Sequence, residues 1–393
     1  MNIPESIRDV LPYAVEMRHA IHRRPEVSGS ERETAARVRR ELEAMGIPVR
    51  TFEGCHSLMG TLRNGEGPCV AVRAELDALP IQEATGLPFA SEIPGVMHAC
   101  GHDVHMALAL ASAKWFSSHR SEWSGTVKFL FESEEETVGG GQRMTAQGCM
   151  EDPKVDCVLG QHMNPNHPVN SFYSRCGAVS GASDELRLVV RGASCHGAYP
   201  EKGTDAIVIA AQTVSALQTL VSRNVSPFDP VALTFGTVRG GTAQNIVCGE
   251  VELTGTLRTI RPDTRALLHR RLKETAEGIA AAMGGSAAME IEPSYGAVVN
   301  DPAAYRIVEA CARELLSDAL MVEQQAPSLG VESFCYFLER TPGVYYDLGC
   351  GIGTGLHTPT FRVDEAVIGT GVTLQIEAVL RLLEHWKKNE AAS

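Results

Sequence analysis

Hydrophobic spacing along this chain alternates between a helical and a strand-like period. Over 30–45, "SERETAARVRRELEAM" places its apolar positions three and four apart, which predicts a helix. Ser30 and Glu33 stand in capping-box spacing at its start, and Gly46 stops it. "PCVAVRAELDALP" reads as a buried strand ending near Ala74, and Asp103–Ser118 as a helix. "TVKFLFE" (126–132) and "KVDCVLGQH" (154–162) read as further strands. This alternation predicts an α/β domain: a mainly parallel sheet with helices on both faces.

From about Ala182 to Pro293 the order changes. A strand ("ELRLVVRG") precedes a long amphipathic helix ("DAIVIAAQTVSALQTLVSR") and two strands ("VALTFGTVRG", "EVELTGTLRT"). A second helix follows, with Asp263 as its expected N-cap, and "AAMEIEP" supplies a fourth strand. The order β-α-β-β-α-β is the split βαβ, ferredoxin-like α+β pattern. We therefore expect residues 182–293 to be a small domain inserted into a larger one made of 1–181 and 294–393. The α/β pattern resumes with helices over Pro302–Leu316 and Asp364–Leu383, and a strand at "GVYYDLG" between them.

Composition narrows the function classes. The chain has 393 residues, 44% hydrophobic and 21% charged, ample for a core. No apolar run in the sequence suggests a membrane span, and "MNIPESIRDVLPYAVEMRHA" lacks the apolar centre of a signal peptide. A net charge of −13 and a pI near 5.5 argue against nucleic acid or an anionic membrane as partner. Eleven cysteines, an odd number without a CxxC pair, read as reduced thiols of a cytoplasmic protein.

Cys100 is the exception. "MHACGHDVHMA" (97–107) holds one cysteine and three histidines. In parallel α/β sheets, sites form beyond the carboxyl ends of the strands. Asp77, "ESEEE" (132–136), His162 and His357 each follow a predicted strand, while Cys100 and His102 open the next helix. An acid run is usually a solvated face, and a lone histidine is usually structural. Five such segments meeting at one sheet edge are a stronger signal than any one spacing. Thiolate, imidazoles and carboxylates together suit a first-row divalent metal. One carboxylate can then ligate while its neighbour accepts a proton from activated water and delivers it to a leaving amine. The rival chemistry, Cys100 as nucleophile with His102 as its base, asks two residues on one short loop to hold hydrogen-bond geometry and leaves the acids without a role.

These residues resemble the aminoacylase/carboxypeptidase family of metallopeptidases, in its amidohydrolase branch of hippurate hydrolases, N-acetyl-diaminopimelate deacetylases and auxin–amino acid conjugate hydrolases. "RHAIHRRPEVSGSE", "AVRAELDALPIQE" and "MHACGHDVHMA" look like its H-x-x-PE, R-A-D-x-D-A-L-P and M-H-A-C-G-H-D-x-H segments. "FESEEETVGGG" takes the place of F-Q-P-A-E-E-G-x-G-G. "GQHMNP", "SCHGAYPEKGTDAI", "AQNIVCGEVELTGTLRT" and "GLHTPTFRVDE" match later segments, so the likeness spans nearly the whole chain.

The resemblance implies hydrolysis of N-acyl or N-aroyl amino acids by a metal-activated water. It makes Cys100, His102, Glu136, His162 and His357 the ligands of one or two divalent ions (manganese, zinc, nickel or cobalt), with Cys100 shared when both are bound. Glu135 becomes the general base. His196 of the inserted lid and dimerisation domain would stabilise the oxyanion in a partner subunit, within a homodimer or dimer of dimers. Asn245 and Arg258 would hold the substrate carboxylate. A dipeptidase or exopeptidase on the same site, and a non-catalytic binder of acylated small molecules, are the alternatives. Three departures bear on the substrate. Glu132-Ser133-Glu134 replaces Q-P-A and adds two acids, expected to lower the potential for an anionic substrate. Glu75 replaces an Asp, and "GVESF" (330–334) puts Val331 and Ser333 where the pattern has Ser and Asp.

Overall fold

The structure is a computed structural model that describes residues 3–137, 139–353 and 355–390. The chain divides into two compact units, Met1–Val179 with Val299–Ala326 and Ser333–Ser393, and Ser180–Val298 with Pro327–Glu332.

The first unit is built on an eight-stranded sheet. Its order is Val49–Thr51, Leu58–Asn64, Gly125–Glu132, Cys69–Glu75, Cys157–Asn164, Gly343–Gly349, Phe172–Ser174 and Met321–Glu323. The four central strands run parallel. Cys69–Glu75 and Gly125–Glu132 are buried at every position, as expected for parallel strands covered on both faces. Four charged residues sit inside these strands: Arg73, Glu75, Lys128 and Glu132. Burial of a charge demands partners. Lys128 Nζ finds the carbonyls of Cys149, at 3.0 Å, and Pro153, at 2.8 Å. The helix His102–Ser118 is buried along almost its whole length and packs against Leu11–His22 and Ala366–Glu390.

The second unit is a four-stranded antiparallel sheet in the order Ser286–Pro293, Ala182–Arg191, Glu250–Thr259, Val231–Gly240. Leu186, Leu188 and Val190 alternate toward a core shared with helices Ala206–Asn224 and Pro262–Ala282, while Glu185 and Arg187 face solvent. The Asp205 carboxylate caps the first helix through Ile207 N–H at 2.9 Å.

Three local expectations fail. Helix 32–44 does not start with a Ser30 capping box; the Glu26 carboxylate accepts from Glu33 N–H at 3.2 Å and Thr34 N–H at 2.7 Å instead. Asp263 lies inside the first turn of helix Pro262–Ala282, which Arg261 precedes as N-cap. Two helices, Ala206–Asn224 and Ala366–Lys388, are long and apolar enough by composition to cross a membrane. The second turns most of its length into the core of its unit, which accounts for its apolarity.

Candidate metal centre

Each predicted donor in the first unit sits where a strand ends or a helix begins. Strand Gly125–Glu132 leads into Glu135 and Glu136, His162 lies near the end of Cys157–Asn164, and His357 follows Gly343–Gly349. Cys100 and His102 flank Gly101, whose φ of 90° is left-handed. A Cβ there would stand 2.9 Å from Met163 Cβ and Cγ. Only glycine lets this loop close against the strand that carries His162.

That approach gathers the donors. Cys100 Sγ lies 3.3 Å from His162 Nε2 and 3.3 Å from His357 Nε2. Glu136 Oε1 is 3.3 Å from His357 Nε2 and 3.9 Å from His102 Nε2. Cys100, His102 and His162 form one close group, Cys100, Glu136 and His357 a second, and His102, Glu135 and Glu136 a third. Metal–ligand bonds of 2.0–2.3 Å in tetrahedral geometry separate ligand atoms by about 3.3–3.7 Å. The spacing fits a divalent ion, and Cys100 stands in both of the first two groups.

Two ring tautomers are fixed from behind. His102 Nδ1 faces the Asp77 carbonyl at 2.9 Å and His162 Nδ1 the Met163 carbonyl at 2.9 Å. Both rings therefore donate from Nδ1 and present Nε2 to the group. His102 Nε2 is buried without a hydrogen-bond partner, which a bound cation would satisfy. Burial pushes the Cys100 thiol well up, so a thiolate here requires a positive charge beside it. Burial, joined by His105, pushes His162 down to about 3, leaving it the neutral imidazole a metal takes. For Glu136 burial opposes ionisation, but the His357 hydrogen bond and nearby His102 outweigh it and hold the carboxyl low.

The other acids of the run turn to arginines. Glu134, at φ 62°, turns its carboxylate to Arg143. Glu132 is fully buried and pairs with Arg73 at 2.7 Å. Both acids thus face an arginine, Glu134 pairing with Arg143 and Glu132 sharing Arg73 with Glu75. Ser333 is likewise buried, its Oγ 2.6 Å from Arg73 Nη2.

Asp77 has a place that the sequence reading left unassigned. Besides holding His102, its carboxylate accepts from Glu136 N–H at 3.0 Å and Ser28 Oγ at 2.7 Å. Its position two residues beyond Glu75, past a strand end, was the available signal. His105 is not a donor in this arrangement, because both ring nitrogens are engaged: Nδ1 with Glu75 at 2.8 Å, Nε2 with Met163 N–H at 3.0 Å.

The remaining candidates belong to the second unit. His196 and Asn245 are neighbours on exposed loops: Gly197 N–H donates to the Asn245 carbonyl at 2.7 Å, and His196 bridges Ile246. Arg258 is on the strand Glu250–Thr259, opposite Ser183, whereas the His196 loop leaves the sheet beyond Arg191, the partner of Glu250. Eight residue pairs, about 27 Å at 3.4 Å per residue, separate the two ends.

Comparison with known proteins places this geometry among relatives. The model of peptidase family M20/M25/M40 matches residues 71–381. An N-acetylcysteine deacetylase of Bacillus subtilis is 32% identical over 372 residues, covering 94% of this chain and 97% of the relative. An IAA-amino acid hydrolase of Arabidopsis thaliana is 33% identical over 384 residues, covering 96% and 86%. A dinuclear metal-binding peptidase of Bacillus subtilis superposes with a TM-score of 0.84 at 29% identity, covering 96% of this chain and 99% of that one.

Proposed function

The chain belongs to peptidase family M20/M25/M40, and on that premise we propose that it hydrolyses the amide bond of N-acyl or N-aroyl amino acids, releasing a carboxylic acid and an amino acid. The observation that carries this reading is the Cys100-centred donor set with a second carboxylate, Glu135, beside it. The deacetylase and the IAA-amino acid hydrolase among its relatives support the substrate class.

Cys100, His102, Glu136, His162 and His357 hold one or two divalent ions of the manganese, zinc, nickel and cobalt group. A metal bound there supplies Lewis acidity to the amide carbonyl and acidifies water at the site. Glu135 takes the proton of the attacking water and passes it to the amide nitrogen as the amine leaves. His196 donates to the carbonyl oxygen as negative charge develops on it. Asn245 and Arg258 hold the substrate carboxylate, Arg258 through its two-pronged fork.

His196 and Arg258 of one chain are too far apart to touch the same small substrate. The site as proposed draws on two copies, a homodimer or a dimer of dimers. The second unit carries surface suited to that use. Val231–Gly240 is an edge strand with Val238 67% exposed, and Ile207 and Val208 of the neighbouring helix are about half exposed.

The test is a panel of N-acetyl and N-benzoyl amino acids against free-amine dipeptides, assayed on metal-supplemented protein. Turnover confined to the N-acyl compounds supports the reading. Preference for the dipeptides would make the protein an exopeptidase, and binding without turnover would make it a binder.

A further inference from the structure

Behind the donors lies a buried cluster that the proposed reaction does not use. Arg73, Glu75, Glu132, His105 and Ser333 are each at most 1% exposed. Glu75 and Glu132 stand directly opposite each other on adjacent parallel strands, an arrangement that repels unless a cation lies between them. Arg73 supplies it. Its Nε donates to Glu132 Oε2 at 2.8 Å, its Nη1 to Glu75 Oε1, and its Nη2 to Ser333 Oγ at 2.6 Å. Glu132 is fixed in turn by Gly141 N–H.

Two arms run from this hub. In the first, Glu75 Oε2 accepts from His105 Nδ1 at 2.8 Å, His105 Nε2 accepts from Met163 N–H at 3.0 Å, and the Met163 carbonyl accepts from His162 Nδ1 at 2.9 Å. The Met163 contact requires Nε2 to be unprotonated, so His105 is the neutral Nδ1–H tautomer and transmits orientation, not charge. In the second, Ser333 N–H points to Glu135 Oε1 at 3.5 Å. We propose that Arg73, anchored by Glu132, is a positioning residue that sets both His162 and Glu135. This rests on the assignment of those two residues as ligand and base. A guanidinium stays charged and rigid, so its fork fixes three partners at once. Without the Glu132 carboxylate, Glu75 alone must balance Arg73 and is drawn off His105, loosening the arm that ends at His162.

Geometry supplies its own rescue. Ser333 Oγ already touches Nη2, so an Asp at 333 would return a carboxylate to the guanidinium from the other side. Full-length metal-free protein is titrated with Co²⁺, read by thiolate-to-metal absorption, alongside kcat and KM for an N-acetyl amino acid at saturating metal and the urea midpoint. Glu132→Gln is expected to bind Co²⁺ about 10–100-fold more weakly and to lose kcat by a similar factor, with KM nearly unchanged. Glu132→Gln/Ser333→Asp is expected to recover both. Ser333→Ala, which leaves the charges intact, is expected to lower kcat more than Co²⁺ affinity. The inference is overturned by unaltered Co²⁺ affinity and kcat in Glu132→Gln, or by a double variant that regains only the urea midpoint. If Glu132→Gln does not fold, the double decides: a Co²⁺ affinity like that of the unmodified protein supports the inference, and weak binding or failure to fold overturns it. If the unmodified protein turns over no N-acyl amino acid, the functional reading fails while the Co²⁺ titration still judges the network.

Discussion

Cys100 Sγ faces His162 Nε2 at 3.3 Å across 62 residues of sequence, and the contact exists because Gly101 lets the loop press against Met163. The thiol belongs to two of the close donor groups. Cys100→Ser should therefore lose at least one metal equivalent. Metal affinity of the unmodified protein should also fall as pH drops, because the thiol proton must leave on binding. Elemental analysis after dialysis checks both; unchanged content and turnover in the variant would remove Cys100 from the site.

Gly101→Ala tests the approach itself. A side chain at φ 90° with its Cβ 2.9 Å from Met163 should cost about 1–3 kcal/mol of stability. It should also weaken metal binding, because the loop must retreat from His162. Urea unfolding and metal titration are the readouts, and unaltered values in both would show that the close approach is not needed.

The two adjacent acids separate by role. Glu135→Gln should keep its metal and bind substrate yet lose turnover by roughly 10²-fold or more, the usual worth of a general base. Glu136→Gln should bind metal more weakly and recover partly when metal is added. Glu134→Gln should do neither, since Glu134 pairs with Arg143. Loss of metal from the Glu135 variant would exchange the two assignments.

His22 gives a pH signature away from the donors. Its Nδ1 is 2.9 Å from Asp103 and its Nε2 3.3 Å from Glu83. Burial, the largest influence, disfavours its charge, but Asp103 and Glu83 together outweigh burial and raise it from 6.5 to about 9. A raised folded-state value stabilises fully below about 6.5, fades as pH climbs, and vanishes above about 9. The full effect is on the order of 3 kcal/mol. His22→Gln should thus lower the urea midpoint much more at pH 6 than at pH 9.5. An equal loss at both would show that His22 is held neutral.

The separation of His196 from Arg258 within one unit predicts complementation. His196→Ala and Glu135→Gln proteins, each inactive alone, should regain activity when mixed and allowed to exchange subunits. Heterodimers without recovered activity would count against a role in trans.

Much of the first unit was legible because its parallel strands are continuous buried apolar runs, each ending in a polar cluster. Those clusters mark one sheet edge and suggested a metal, while the choice of Cys100, His102, Glu135, Glu136, His162 and His357 within them came from the family resemblance. Helix starts were less legible: Glu26 caps from six residues upstream of Arg32, where a local capping box was expected. The Arg73–Glu132 pair was not legible at all. Its partners are 59 residues apart, and strand register, which sets Glu75 against Glu132, is absent from the hydrophobic pattern. Glu132 therefore reads as an exposed acid in the sequence and is a buried anchor in the fold.

The central claim is that the Cys100-centred donors bind divalent metal and that this binding drives hydrolysis of N-acyl amino acids. Metal-free protein titrated with Mn²⁺, with bound metal and N-acetyl amino acid turnover measured on the same samples, tests it most directly. The account predicts no turnover without metal and a rise that saturates at one or two equivalents. Full turnover in the metal-free protein, or metal binding that brings none, would contradict it.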